Sequence, residues 1–304
     1  MQFGICIPQI YLDGPADPGA VKDYVQRAEA LGYHSLWVQD QILGRADVLE
    51  SVTLLTFAAA VTRTIRLGPS VLVTPIRNPV HLAKSLSTLD RLSGGRLIVG
   101  VGIGENRHLY PAFGITPERR VTRFVEGIQV MKRLWTEDRV TFDGHFTKLD
   151  GAGMQPKPAQ KPHPPIWFGA RSPAALRRAV DLGNGWMGAG SSTIEEFEQQ
   201  ATALRGILAA QNRDPATFPF SKRVYLGVDA DREKAMGRVR DWFGRYYGKP
   251  EMADRMGLAG SVQECIAALR RIRAAGAEMI LLNPVYDEAK HMELFAKEIF
   301  PAVQ

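Results

Sequence analysis

Cysteine is scarce. The chain carries two in 304 residues, Cys6 and Cys265. Each sits among apolar neighbours, so both read as buried free thiols and not as a bridge. A core of this size needs no covalent staple, and nothing in the cysteine usage demands an oxidising compartment. Long hydrophobic runs are also missing, since no window approaches the roughly 20 apolar residues of a membrane span. The first residues, Met1-Gln2-Phe3-Gly4-Ile5-Cys6-Ile7-Pro8, lack a basic leader and read as a strand, so the expected compartment is the cytoplasm. The six histidines, His34, His81, His108, His145, His163 and His291, form no His-x-His or His-x3-His pair. That removes the ligand sets of barrel metallohydrolases, and no metal is expected. Neither a G-x-S-x-G elbow nor a phosphate-cradling G-x4-G-K-[ST] occurs. No G-x-G-x-x-G follows the first strand, which argues against a dinucleotide-binding open sheet.

What is present is ordinary for a globular enzyme: 45% hydrophobic and 23% charged residues, with a net charge of +6. The basic residues are spread over helix faces, as in Arg270-Arg271 and Arg273, and not clustered with aromatic platforms, so nucleic acid is not an expected partner. The surplus reads either as solvated helix faces or as steering for a polyanionic small molecule.

The dominant pattern alternates strand and helix. Strand signals start near residues 3, 35, 66 and 97, about 31 residues apart, the size of a βα unit. Between them run helical stripes such as Val21, Tyr24, Val25, Ala28 and Leu31, closed by Gly32. The rhythm then breaks. Residues 102–117 read as a loop, 118–138 as a long amphipathic helix with Val121, Phe124, Ile128, Met131 and Trp135 on one stripe. Residues 139–164 read as a hairpin followed by a proline-rich extended segment. Four further strands are read at Pro165–Gly169, Gly185–Met187, Arg223–Val228 and Glu278–Leu282. Each is followed by a helix, including one over Asp231–Tyr247. The pattern predicts α/β architecture: a single (β/α)8 barrel over 1–304 with insertions at about 102–117 and 139–164.

In such a barrel, ligand-binding groups lie beyond the C-terminal ends of the strands. That rule selects Pro8 and Gln9, Asp40 and Gln41, the stretch Pro69 to Thr74, Gly102, Gly104, Glu105, Asn106 and His108, then Gly169-Ala170-Arg171-Ser172, and Asn283. At strand five, Gly169 and Ala170 permit close backbone approach, Ser172 caps a helix that opens with Pro173, and Arg171 adds a forked cation. This is either an anion cradle or a capped helix beside an exposed arginine. The run Gly100-Val101-Gly102-Ile103-Gly104 is either a backbone that something flat passes closely or a plain strand end. Asp40 reads as an acceptor for a ligand or as the cap of the next segment. Glu105 and His108 read as proton-transfer groups or as solvent-exposed loop residues.

Taken together, Ala28–Val38, Leu89–Leu97, Gly100–Gly104, Pro165–Gly169, Ala174–Ala179 and Gly183–Trp186 make the chain resemble the luciferase-like superfamily. That group includes bacterial luciferase, alkanesulfonate monooxygenases and the coenzyme F420-dependent dehydrogenases and reductases. The resemblance implies a cofactor ring in the barrel mouth, with its phosphate at Gly169, Ala170, Arg171 and Ser172. It implies Asp40, Gly102, Gly104 and Glu105 as further cofactor contacts. Leu67–Pro75 is similar to the third-strand segment of F420-dependent members, where a non-prolyl cis peptide forms a bulge behind the deazaflavin, here at Ser70–Val71. Glu105 falls where related sugar-phosphate dehydrogenases place a catalytic or ring-contacting glutamate. Many members have Asp-His after strand two. This chain has Asp40-Gln41, and Gln41 orients a ligand but cannot carry a proton near neutral pH. The implied function is F420-dependent hydride transfer to or from a small organic substrate, with Gln41 and Glu105 as the expected catalytic residues. The alternatives are a reduced-FMN monooxygenase using O2 and a cofactor-binding barrel without turnover. The substrate is expected over the exposed ring face, enclosed by 102–117 and 139–164 and lined by Tyr11, Tyr110 and Phe113. A homodimer is also implied, with the 121–135 helix face available for it.

Overall fold

The computed structural model describes residues 1–44, 46–105 and 107–303, the side chain of Arg107 aside; Asn106, one of the candidate loop residues, lies outside them. Eight parallel strands form a barrel: β1 (Gln2–Cys6), β2 (Ser35–Val38), β3 (Arg66–Pro69, resuming at Leu72–Val73), β4 (Val99–Gly102), β5 (Ile166–Gly169), β6 (Gly185–Gly188), β7 (Phe220–Val228) and β8 (Met279–Pro284). Sequential strands pair in order, and β1 pairs β8 through Gln2↔Met279. The ring closes through the divided third strand. Its first half pairs β2 at Ser35↔Arg66, and its second half pairs β4 at Leu72↔Val101. The (β/α)8 expectation is met.

Why this sequence closes a barrel is visible inside it. Instead of layers of branched aliphatics, the lower lumen holds Trp37 and Trp167, their ring centroids 6.1 Å apart, with Cys6, Ile98, Met187, Met279 and Leu281 around them. Two indoles fit only because glycine faces them. A Cβ on Gly68 would stand 2.4 Å from Trp37, and one on Gly185 would stand 2.8 Å from Trp167. The Trp37 indole donates to Ser35 Oγ at 2.7 Å, so its one polar atom is satisfied. Both cysteines are buried and free, as expected.

The outer ring holds α1 (Pro18–Ala30), α2 (Ser51–Val61), α3 (Pro79–Leu92), α4 (Arg120–Thr136), α5 (Pro173–Leu182) and α6 (Ile194–Ala210). Two elements differ from the sequence reading. The helix over Arg232–Tyr247 (α7) is not the outer helix after β7. It belongs to an excursion with α8 (Met252–Met256) and a short strand, Gly257–Gly260, that pairs the upper half of β7 at Tyr225↔Gly257. The outer position is taken by α9 (Val262–Ala274), which packs between α6 and the C-terminal helices. A perfect capping box at Ser261 and Glu264 starts α9. The final helix is also interrupted, with Glu288–Leu294 passing into a π turn at Phe295–Ile299 and a last turn at Phe300–Val303.

The 139–164 insertion does not enclose the mouth. Its strands, Val140–Asp143 and Lys148–Ala152, lie against the outside of α4, where Glu126 accepts the His145 and Phe146 amides. The proline-rich segment crosses the opposite end of the barrel. Arg91 Nε donates to Lys157 O at 2.7 Å, and Gln160 Nε2 donates to Asp90 and to Leu97 O at the start of the β4 segment. These polar groups near the C-terminus of α3 draw the segment downward. The stripe Phe124, Ile128, Met131 and Trp135 is spent in this chain's own core, leaving only Val121 of it exposed. No helix among the described residues is long and apolar enough to cross a membrane.

Candidate active site

The mouth is shaped by the break in β3. The Ser70–Val71 peptide is cis, at the bond the sequence singles out. Around it, Ser70 N–H donates to Val38 O at 2.7 Å, and the Val71 side chain packs on the barrel plug. Glycines on the next strands make room for this bulge. A Cβ on Gly102 would stand 2.5 Å from Val71 Cγ2, and one on Gly169 would stand 3.3 Å from both Val71 methyls. Gly104, at φ +76°, would meet Val73 Cγ1 at 2.7 Å. Ser70, Val71, Gly102, Gly104 and Gly169 therefore come together as one step of apolar side chain and bare backbone.

Asp40, expected as a cofactor contact, is engaged by donors of the chain itself. Its side chain is 1% exposed. Oδ2 accepts the Val73 amide at 2.8 Å, while Oδ1 accepts Arg77 Nη2 at 2.7 Å and Ser51 Oγ at 3.0 Å. The carboxylate thus ties the far side of the bulge to α2 and to Arg77, and both of its oxygens are occupied by the chain.

Beyond β5, Ser172 caps α5, its Oγ accepting Ala175 N–H at 3.4 Å. Ala170 O accepts the Trp186 indole N–H at 2.9 Å, which fixes the loop's path. Arg171 forms an ion pair with Glu105 and donates to Ser191 Oγ at 3.3 Å. Two candidates from separate loops thus meet across the mouth. Glu105 is 70% exposed and Arg171 43%, and a pair so exposed contributes little and yields readily to a ligand. His108 is exposed.

The sequence reading missed the opposite wall. The end of α7 carries Trp242, Phe243, Tyr246 and Tyr247, which pack in edge-to-face and tilted pairs with one another and with Tyr225 of β7. This end reaches the loops after β1 and β2. Arg245 pairs with Asp13, and the Tyr246 phenol donates to Gln41 Oε1. Gln41 therefore has its carbonyl engaged by a tyrosine of the roof. Burial raises the Tyr246 pKa, keeping it a phenol donor. Tyr225 and Tyr247 share a hydroxyl contact of 2.8 Å. The phenols of Tyr110 and Tyr11, two of the residues expected to line the substrate pocket, donate to Ile103 O and Pro8 O, pinning their own loops.

The floor is polar where the sequence reading placed only the start of a strand. Ser221, Arg223 and Tyr225 alternate inward along β7, and Arg223 is 6% exposed. Its guanidinium lies 4.7 Å from the Tyr225 ring centroid, and Nη1 is 3.4 Å from Ser70 O. On β8, Asn283 is 5% exposed. Lys222 points to the other face of β7 and donates to Ser192 O at 2.7 Å and Ser192 Oγ at 2.8 Å, clamping the loop after β6. Burial holds its pKa down to about 7. The signal for Arg223 was the period-2 alternation of a strand beginning at Phe220, three residues before the start read from sequence.

Comparisons with known proteins identify the family of the chain. The family model for luciferase-like monooxygenases matches residues 1–275. A 5,10-methylenetetrahydromethanopterin reductase of Archaeoglobus fulgidus is 26% identical, the alignment covering 92% of this chain and 95% of that protein. An F420-dependent glucose-6-phosphate dehydrogenase of Kineococcus radiotolerans is 32% identical over 74% of this chain and 68% of its own length. Among solved structures, a monooxygenase from Streptomyces bottropensis superposes with a TM-score of 0.86 at 26% identity, covering both chains fully. An F420-dependent secondary alcohol dehydrogenase shares the fold at a TM-score of 0.86 and 23% identity, over 100% of this chain and 99% of its own. The chain belongs to the luciferase-like monooxygenase family.

Proposed function

We propose that this protein is a coenzyme F420-dependent oxidoreductase that moves a hydride between the deazaflavin and a small organic substrate. The observation that carries the reading is the Val71 side chain seated against the bare backbone of Gly102 and Gly169, in a chain 32% identical to an F420-dependent dehydrogenase. Bound there, the cofactor supplies a ring carbon that gives or takes a hydride. Val71 would support one face of the ring, with Gly102, Gly104 and Gly169 admitting it closely. The N-terminus of α5 at Ser172, with Ala170 and Arg171, would hold the phosphate of the tail. The α7 aromatics would exclude water from the open face. Gln41, held by Tyr246, would orient the substrate, and Glu105 would hold or move a proton at its carboxyl oxygen once Arg171 turns to the phosphate. Assembly as a homodimer is proposed on family resemblance alone, and light scattering of the pure protein tests it.

A second reading, a reduced-FMN monooxygenase acting with O2, is favoured by the full-length likeness to the Streptomyces bottropensis monooxygenase. Fluorescence titration of the purified protein with F420 and with FMN separates the two. Saturable F420 binding, followed by loss of the oxidised cofactor's absorbance with a set of alcohols and aldehydes, supports the first. Micromolar FMN affinity without F420 binding reverses the order.

A further inference from the structure

Arg223 and Asn283 carry more than the proposed hydride transfer uses. Arg223 Nε and Nη2 are enclosed and have no hydrogen-bond partner, and neither has Asn283 Nδ2. No Asp or Glu of the described residues forms an ion pair with Arg223. Burying a guanidinium without a counter-ion is costly, and a cation–π contact with Tyr225 offsets only part of that cost. The identity of the two free nitrogens matters. Nε and Nη2 form the side-on fork of arginine, the same edge with which Arg27 grips both oxygens of Glu293 and Arg133 those of Glu137 in this chain. That edge matches a planar group offering two acceptor atoms side by side. Asn283 pairs in register with Tyr225, two residues along β7 from Arg223, and adds a third donor on the adjacent strand.

We infer that Arg223 and Asn283 form a receiving site for a planar two-acceptor anion at the floor of the mouth. The anion is either the carboxylate of an organic substrate or the ionised pyrimidine edge of the reduced cofactor, and the second source rests on the function proposed above. Both nitrogens are closed off by their neighbours, so the anion enters when the Tyr246–Tyr247 end of α7 moves. That end is tied to the rest of the mouth by the Tyr246–Gln41 bond, the exposed Arg245–Asp13 pair, an Arg245 Nη2 bond to Leu12 O at 2.8 Å and the Tyr225–Tyr247 hydroxyl contact, a small set of polar contacts in which the exposed pair contributes little.

The test uses wild type, Arg223→Met, Arg223→Lys and Asn283→Ala as full chains. In one arm the cofactor-free proteins are titrated with benzoate and formate, read by tyrosine and tryptophan emission and by Tm. In the other, oxidised and chemically reduced F420 are titrated, with FMN in parallel. Wild type should bind in at least one arm, and Arg223→Met should weaken that binding about tenfold or more. Arg223→Lys should lose nearly as much, because it keeps the charge but not the fork. The Tm of cofactor-free Arg223→Met should be no lower than that of wild type, since a buried charge is being removed. Loss confined to carboxylates assigns the anion to the substrate, and loss confined to the reduced cofactor assigns it to the ring. Unchanged binding in both arms, or absence of carboxylate binding together with equal effects on oxidised and reduced cofactor, overturns the inference. Wild type that binds neither F420 nor FMN would sink the proposed function while leaving the carboxylate arm to decide this site.

Discussion

Replacing Asp40 by asparagine tests whether this residue holds the mouth together or touches the ligand. Three donors converge on its carboxylate: Val73 N–H at 2.8 Å, Arg77 Nη2 at 2.7 Å and Ser51 Oγ at 3.0 Å. An amide of the same shape has one acceptor oxygen, and its NH2 must face either the Val73 amide or the Arg77 guanidinium, donor against donor. With the side chain 1% exposed, no water relieves the conflict. Leaving a buried donor unsatisfied costs about 1–3 kcal/mol, and weakening the hold on Arg77 adds to it, although Glu50 at 3.2 Å retains part of that pairing. A loss of about 2–4 kcal/mol follows. Unfolding entropy is about 2.1 cal/mol/K per residue, which over 304 residues gives about 0.64 kcal/mol/K, so Tm should fall by about 3–6 °C. The assay is a thermal melt of the cofactor-free protein followed by circular dichroism, alongside cofactor titration. An unchanged Tm with weakened cofactor binding would refute the reasoning and return Asp40 to the role of ligand contact.

Three further outcomes follow from the same geometry. Glu105→Gln removes the carboxylate that occupies Arg171, so cofactor affinity should hold or tighten while hydride transfer falls by about 10²-fold or more; equal turnover by stopped-flow would remove Glu105 from the chemistry. Gly102→Ala places a Cβ 2.5 Å from Val71 Cγ2, a clash expected to cost about 1–3 kcal/mol and to weaken F420 binding, and Val71→Ala in the same chain should restore part of both; no rescue in the double variant would contradict the cradle. Burial and the nearby Arg66 pull His34 down to about 4, whereas in the unfolded chain it titrates near 6.5. Its contribution is present above pH 6.5 and is lost as pH falls toward 4, on the order of 1–3 kcal/mol after allowance for partial exposure. Denaturant midpoints across that range should slope less in His34→Gln, and parallel slopes would count against it.

Much of the barrel was legible because its signals are local. Hydrophobic stripes, Ser172-Pro173 as a helix start, and glycine at Gly32 each act within a turn or two of chain. What was not legible depended on partners distant in sequence. The Asp231–Tyr247 helix carries an ordinary amphipathic pattern, and nothing local says that its apolar face covers the mouth and not the barrel wall. That decision belongs to Tyr225, Gln41 and Asp13, which reach it from β7 and from the loops after β2 and β1. Arg223 was hidden for a related reason, because an inward charge interrupts the apolar run by which a buried strand is recognised. Asp40 was found by position, while the three donors that converge on it come from separate segments and leave no local signal. The proline-rich stretch gave its extended path from composition, while its course across the far end of the barrel was set by Asp90 and Arg91.

The most direct test of the account is a crystal structure of the protein with F420 bound. The account predicts the deazaflavin ring lying on Val71, between Gly102 and Gly169, with its phosphate at the start of α5 beside Ser172. A ring bound elsewhere, or a mouth that stays filled by the α7 aromatics while F420 occupies the surface, would contradict it.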